Sequence, residues 1–244
     1  MSRVEFHHLA IGVARLADAP PFLVGVLGGL PDADWVRPSF AFACWRFAGG
    51  GRIEVLEPRG ADGFLHRFLA QRGPGVHHVT FKVPSLRTAC ARATARGHDV
   101  IGFDDSHPSW QEAFLHPKQA QGIVVQMVET AGADRPRPWQ GPPGPPDPPP
   151  PVTILGLRLR ARSAERARQQ WGEVVGAEVS GDGDGRLVAR WPGSPMRLVI
   201  DIDPADEEGP VSIEVAGDRP LVLPSGPHPR LGAVFVQRGS AAVS

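Results

Sequence analysis

Apolar and polar residues alternate with the two-residue period of a strand in "FHHLAIGV" (residues 6–13), and "FAFACWRF" (40–47) and "RIEVLEP" (52–58) are strand-like runs. Between the first two lies "LADAPPFLVGVLGG" (16–29), where proline near the start and glycine at the end mark a short helix. From His77 the same order returns. A strand "HHVTFKV" (77–83) precedes a helical "SLRTACARATARG" (85–97), and strands follow near "DVIGF" (99–103), "QEAFLHP" (111–117) and "GIVVQMVE" (122–129). The predicted unit is β-α-β-β-β, twice. Phe6-His7-His8-Leu9 aligns with Val76-His77-His78-Val79, and Ile53-Glu54-Val55-Leu56-Glu57 with Val125-Gln126-Met127-Val128-Glu129. Agreement at both ends and in element order points to an internal duplication of about seventy residues.

The pattern stops at "ADRPRPWQGPPGPPDPPPP" (133–151), where repeated proline fixes φ and removes backbone donors. The predicted organisation is a first domain over residues 1–131 (modules at about 3–60 and 75–131), a Pro-rich linker over 132–151, and a further domain over 152–244. That last part echoes the first. "VTILGLRLRARSAERARQQWGEVVGAEV" again reads as strand, helix and Gly-closed turn, with Gly156 where the first copy has His8; "GPVSIEV" resembles "GVHHVTF" with Ser212 at the His78 position. The expected fold class is therefore α+β, with paired βαβββ modules forming a cupped mixed sheet and a degenerate, metal-free βαβββ-like domain after the linker.

Charge narrows the partners. Lys and Arg together number 26 and so do Asp and Glu, so no positive surplus exists to neutralise phosphates, and nucleic acid is excluded as an expected partner. No run approaches the roughly 20 apolar residues of a membrane helix, and the N-terminus has no signal-peptide pattern. The two cysteines, Cys44 and Cys90, form no CxxC pair and suit a reducing compartment. The expectation is a cytoplasmic protein acting on a small molecule, with a homodimer interface as one role for the degenerate unit.

Side chains alternate along a strand, so only one histidine of each doublet is expected to face the inside of the sheet. Glu54 and Gln126 occupy equivalent places on the last strand of their copies, and a pseudo-twofold axis between the copies would gather them with the histidines. Two imidazoles, a carboxylate and an amide oxygen suit a divalent metal of borderline hardness: Zn, Co, Ni, Mn or Fe(II).

"FHHLAIGV", "RIEVLEP", "GVHHVTFKV" and "FLHPKQAQGIVVQMVE" resemble the vicinal oxygen chelate superfamily of glyoxalase I, methylmalonyl-CoA epimerase, extradiol dioxygenases and bleomycin-resistance proteins, with the epimerase branch nearest. The resemblance covers roughly residues 3 to 131. It implies that the second histidine of each doublet is a ligand, hence His8 and His78, with Glu54 and Gln126 completing the set. Two departures stand out. Epimerases of this type carry the carboxylate ligand on the last strand of the second module, where this chain has Gln126. They also place an acid-base glutamate after the second strand of the first module, where "VRPSFAFACW" has no carboxylate.

The activity implied is removal of a proton α to a carbonyl of a chelated acyl-CoA ester or hemithioacetal, with Glu54 or Glu112 as the base. Two alternatives share the residues: an Fe(II) extradiol-type dioxygenase using His8, His78 and Glu54, and a small-molecule binding or resistance protein without turnover. His7 and His77 are expected on the other side of the sheet, and Glu57 and Glu129 on a solvated rim. Asp104, Asp105 and His107 lie in a polar loop near Trp110, and Lys118 is expected to be solvated.

Overall fold

The computed structural model describes residues 3–131 and 138–239. The first module runs β1 (Glu5–Gly12), a 3-10 turn (Leu16–Asp18), α1 (Pro20–Leu23), β2 (Leu30–Val36), β3 (Phe40–Arg46) and β4 (Arg52–Pro58). A helix that the hydrophobic pattern did not signal, α2 (Phe64–Arg72), leads into the second module. That module consists of β5 (Gly75–Lys82), α3 (Leu86–Ala95), β6 (Val100–Asp104), β7 (Gln111–Leu115) and β8 (Val124–Glu129). Ser85 caps α3, its side chain accepting from the Thr88 N–H, which explains why this helix begins where the serine stands.

Strands of the two modules form one eight-stranded mixed sheet in the order β2-β3-β4-β1-β5-β8-β7-β6. In each module the first strand pairs in parallel with the last, and the order is mirrored across β1 and β5 as a duplication requires. The two glutamates expected on a rim instead each fasten the ends of their own module. Glu57 at the end of β4 accepts the Leu16 N–H at 2.6 Å, and Glu129 at the end of β8 accepts the Leu86 N–H at 2.7 Å. Each carboxylate thus satisfies an unpaired backbone donor where the chain leaves the first strand for its helix.

Residues 138–151 form neither helix nor strand; residues 132–137 of the predicted linker lie outside the described residues, as do 240–244 of the predicted last domain. The second sheet follows: β9 (Thr153–Ala161), α4 (Ala164–Ala167) continuing as a π-helical segment (Arg168–Val174), β10 (Glu178–Gly181), β11 (Leu187–Arg190), β12 (Arg197–Ile202), β13 (Gly209–Ala216) and β14 (Phe235–Arg238). Its order, β10-β11-β12-β9-β13-β14, repeats the first sheet with the last module cut to two strands. The α+β class, the paired modules and the shrunken C-terminal relative are all as expected from the sequence.

The chain sorts into two compact units, one holding residues 3–8, 78–131 and 156–211, the other residues 9–77, 138–155 and 212–239. Both units draw on both sheets. In the first, Phe6, Phe81 and Trp191 meet with ring centroids 4.5–5.5 Å apart, and Trp171 donates its indole N–H to Gln121 Oε1. In the second, Phe22 packs on Phe235 at 4.7 Å and Trp45 on Trp139 at 5.5 Å, so the Pro-rich segment lies against the first module. No helix among the described residues is long and apolar enough to cross a membrane.

Gly156, the counterpart of His8, has φ +132, and a Cβ there would lie 1.8 Å from the Arg197 carbonyl oxygen. Strand β12 has closed onto bare backbone where the first sheet carries a side chain. Gly156→Ala is expected to lower the free energy of unfolding by about 2 to 4 kcal/mol, read from urea titration, because strain and overlap add at one position.

Candidate metal centre

The parallel register of β1 with β4 sets Ala10 opposite Glu54, and that of β5 with β8 sets Thr80 opposite Gln126. His8 precedes Ala10 by two residues and His78 precedes Thr80 by two. His8, Glu54 and His78 each offer one ligand atom, and these atoms lie within 4.8 Å of one another. The two imidazoles sit with centroids 5.7 Å apart at 68°. Donors about 2.0–2.2 Å from a single ion stand up to roughly 4.4 Å apart, so a small side-chain adjustment separates this spacing from coordination. Two imidazoles and a carboxylate are also a suitable donor set for a borderline divalent cation, and the residues fit such an ion.

A chain of hydrogen bonds runs outward from His8. Its Nε2 lies 2.8 Å from Thr80 Oγ1; the Thr80 hydroxyl donates to Gln126 Oε1 at 2.6 Å; Gln126 Nε2 donates to Glu112 Oε2 at 2.7 Å. Trp110 donates its indole N–H to the same Glu112 oxygen at 2.9 Å. Thr80 is fully buried, and His8, His78 and Gln126 are nearly so. Gln126 therefore reaches His8 through Thr80. Glu112, opposite Val128 on β8, is drawn to the site by two donors and its Oε1 makes no hydrogen bond among the described residues. The sequence pattern did not single out Thr80; its place two residues after His78, on the same side of the strand, was the available signal.

The first doublet does not alternate as expected. His7 Nδ1 lies 2.8 Å from His8 Nδ1, so the two rings share a side. The cause is visible one residue earlier. Phe6 packs on Phe81 while His8 meets Thr80, and Thr80 and Phe81 are neighbours on opposite faces of β5. Residues 6 and 8 therefore face opposite ways, and the two-residue period slips by one between them. In the second doublet, His77 packs on Phe64 and Phe68 of α2 at 5.4 and 4.8 Å, and burial pushes its pKa down to about 4. Helix α2 also sends Leu65 into a cluster with Ala10 and Leu56, backed by Phe40 and Phe42. The first module is thus apolar beside Glu54, and the second carries the polar chain.

Of the remaining candidates, Asp105 pairs with Arg87, and Asp104 caps the turn through the Ser106 N–H. His107 bonds Ser109, and Lys118 groups with Asp99, His116 and Gln119 away from these residues. Cys44 and Cys90 are both free, and burial together with the nearby Glu54 and Asp32 carboxylates raises the Cys44 thiol well above its usual range. In the second sheet, Gly156, Val199 and Ser212 stand at the places of His8, Glu54 and His78, so the donor set is absent there.

The chain is similar to several known proteins. Residues 7–114 match the model of the Glyoxalase/Bleomycin resistance protein/Dioxygenase superfamily. Over 135 residues the chain is 27% identical to the uncharacterized protein YqjC of Bacillus subtilis, covering 54% of this chain and 95% of that one. Methylmalonyl-CoA epimerase from Mycobacterium tuberculosis is 24% identical with a TM-score of 0.48, covering 53% of this chain and 89% of that one. A variant of 4-hydroxymandelate synthase from Streptomyces coelicolor has a TM-score of 0.63 at 14% identity, covering 90% of this chain and 72% of that one. This last likeness extends over both sheets and concerns the fold alone.

Thr80→Val keeps shape and removes the hydroxyl, leaving His8 Nε2 and Gln126 Oε1 buried without it. The variant is expected to be destabilised by about 1 to 3 kcal/mol in urea unfolding, with its melting transition still cooperative.

Proposed function

We propose, from the match of residues 7–114 to the model of the Glyoxalase/Bleomycin resistance protein/Dioxygenase superfamily, that this chain is a divalent-metal-dependent enzyme of glyoxalase or epimerase type. It removes a proton α to a carbonyl of a small substrate, an acyl-CoA ester or hemithioacetal. His8, Glu54 and His78 hold the cation, and Gln126 serves as the fourth ligand once its amide oxygen leaves Thr80. When bound, the cation supplies a Lewis acid that favours the enolate over the ketone.

One observation carries the reading: Glu112 is fixed beside Gln126 by two hydrogen bonds on Oε2, which leaves Oε1 to take a proton. By register Glu112, opposite Val128, corresponds to Phe42, opposite Leu56, in the first module. The departures from the epimerase pattern are then one change. Carboxylate ligand and base have exchanged modules together, with the ligand now Glu54 on β4 and the base Glu112 on β7. Their opposition across the pseudo-twofold axis is kept. Trp110 holds the base in place, and the Phe40, Phe42 and Leu56 side of the first module excludes water near Glu54.

The same two-histidine, one-carboxylate set suits Fe(II) in oxygenases, which gives a second reading as a dioxygenase. Elemental analysis distinguishes a metalloenzyme from a binding protein. The wild type is expected to carry near-stoichiometric metal that is lost in His8→Ala, Glu54→Ala and His78→Ala. Proton exchange of acyl-CoA esters and hemithioacetals in deuterated water then tests the chemistry. Glu112→Gln is expected to keep the metal and slow exchange by about 100-fold or more. Unchanged exchange in Glu112→Gln removes that residue as base. Fe(II)-dependent oxygen uptake without exchange establishes the dioxygenase reading, and a wild type that takes up no metal makes the chain a small-molecule binding protein.

A further inference from the structure

The offset that matches His78 to His8 also matches Lys82, the last residue of β5, to Gly12, the last residue of β1. The two places have been put to different use. A Cβ on Gly12 would stand 3.0 Å from Phe68 and 3.4 Å from Leu65, so α2 closes the first module over that position. Among the described residues no helix stands between β8 and β9, and Lys82 keeps a partly exposed side chain.

The register of β5 with β8 runs unbroken from His78 to Lys82 and sets Lys82 opposite Val128; that of β7 with β8 sets Glu112 opposite the same valine. Lys82, Val128 and Glu112 therefore share the face that carries Thr80 and Gln126. Two strand spacings, about 10 Å, separate the backbones of the two charged residues, and the valine between them is fully buried. They are not each other's partner. Glu112 is held by Trp110 and Gln126, and Lys82 makes no ion pair or side-chain hydrogen bond among the described residues. Nearby acids serve other groups: Glu129, on the opposite face, accepts the Leu86 N–H, Asp104 accepts the Ser106 N–H, and Asp105 pairs with Arg87.

We propose that Lys82 is a substrate-binding residue that holds a carboxylate on the substrate's acyl chain, beyond the carbon that yields its proton to Glu112. This deepens the reading given above and rests on Glu112 as the base. A neutral acyl chain would leave the ammonium unpaired beside a buried valine. An anionic chain brought up to Glu112 meets a like charge, and an ammonium on the same face offsets it. Its three donors suit a carboxylate without demanding one fixed approach. Distance limits the group further. A carboxylate two or three bonds beyond the acidic carbon can reach Lys82 while that carbon lies at Glu112, whereas the phosphates of coenzyme A lie at the far end of the pantetheine arm.

Succinyl-pantetheine and butyryl-pantetheine make the test, since their acyl chains match in length, differ in a terminal carboxylate against a methyl group, and carry no phosphate. Binding to the full chain incubated with Zn(II) is measured by titration calorimetry, with exchange of the α proton in deuterated water alongside. The wild type is expected to bind the succinyl ester about 10- to 100-fold more tightly than the butyryl ester. In Lys82→Met that preference is expected to fall below about 3-fold, with metal content and melting temperature unchanged, and Lys82→Arg is expected to retain most of it. If the wild type shows no preference, or if the preference survives in Lys82→Met, the assignment falls. An equal loss of affinity for succinyl-CoA and butyryl-CoA in Lys82→Met, absent with both pantetheine esters, puts a phosphate on Lys82 and overturns the carboxylate. A preference that depends on Lys82 but comes without proton exchange leaves the anchor standing and sinks the proton-removal reading; exchange without preference does the reverse.

Discussion

Parallel pairing of the first strand of each module with its last is the constraint on which the site depends. It brings the two ends of a unit of more than fifty residues side by side, and it does so in a register that sets Ala10 against Glu54 and Thr80 against Gln126. Such pairing is slow to form and costs loop entropy, so something must hold the connections in place. Glu57 and Glu129 do this by bonding the backbone where each first strand ends. A pair of side chains that look like surface acids thereby maintain the geometry of a site built elsewhere on the same strands.

The two modules have diverged in opposite directions around this shared frame. Beside Glu54 the first module is closed by α2, with Leu65 on Ala10 and Leu56 and with Phe40 and Phe42 behind. The second module kept polar residues, and its buried hydroxyl and amide are satisfied by one another rather than by water, which low surroundings of polarity make worthwhile. Duplication supplied equivalent positions, and each half then specialised. The second module is bonded through polar side chains beside His78, and the first is packed through apolar ones beside Glu54.

Much of this was legible from residues. The repeat gave the βαβββ order, the mirrored ends of β1 and β5, and the grouping of His8, Glu54 and His78, because strand period and duplication are both local signals. Three features were not. Helix α2 has no proline or capping side chain at its start, Gly63 standing there with a positive φ, so "FLHRFLAQR" carried no boundary signal. The face of His7 was misassigned because a one-residue slip leaves no mark on composition; it is seen only when Phe6 and His8 are found on opposite sides of β5. The correspondence of Glu112 with Phe42 was hidden as well, since it emerges only through the register of β7 with β8 and β3 with β4.

The close approach of β12 to Gly156 also sets a direction to change in the second sheet. Where the Arg197 carbonyl has moved into the space that a side chain would need, no single substitution at position 156 can bring back an imidazole, whatever its codon. Backbone, rather than side chain, has occupied the vacated place, so a donor set there could return only if a whole strand first moved away. The first sheet is consequently the half of this chain in which such a donor set can be altered one residue at a time.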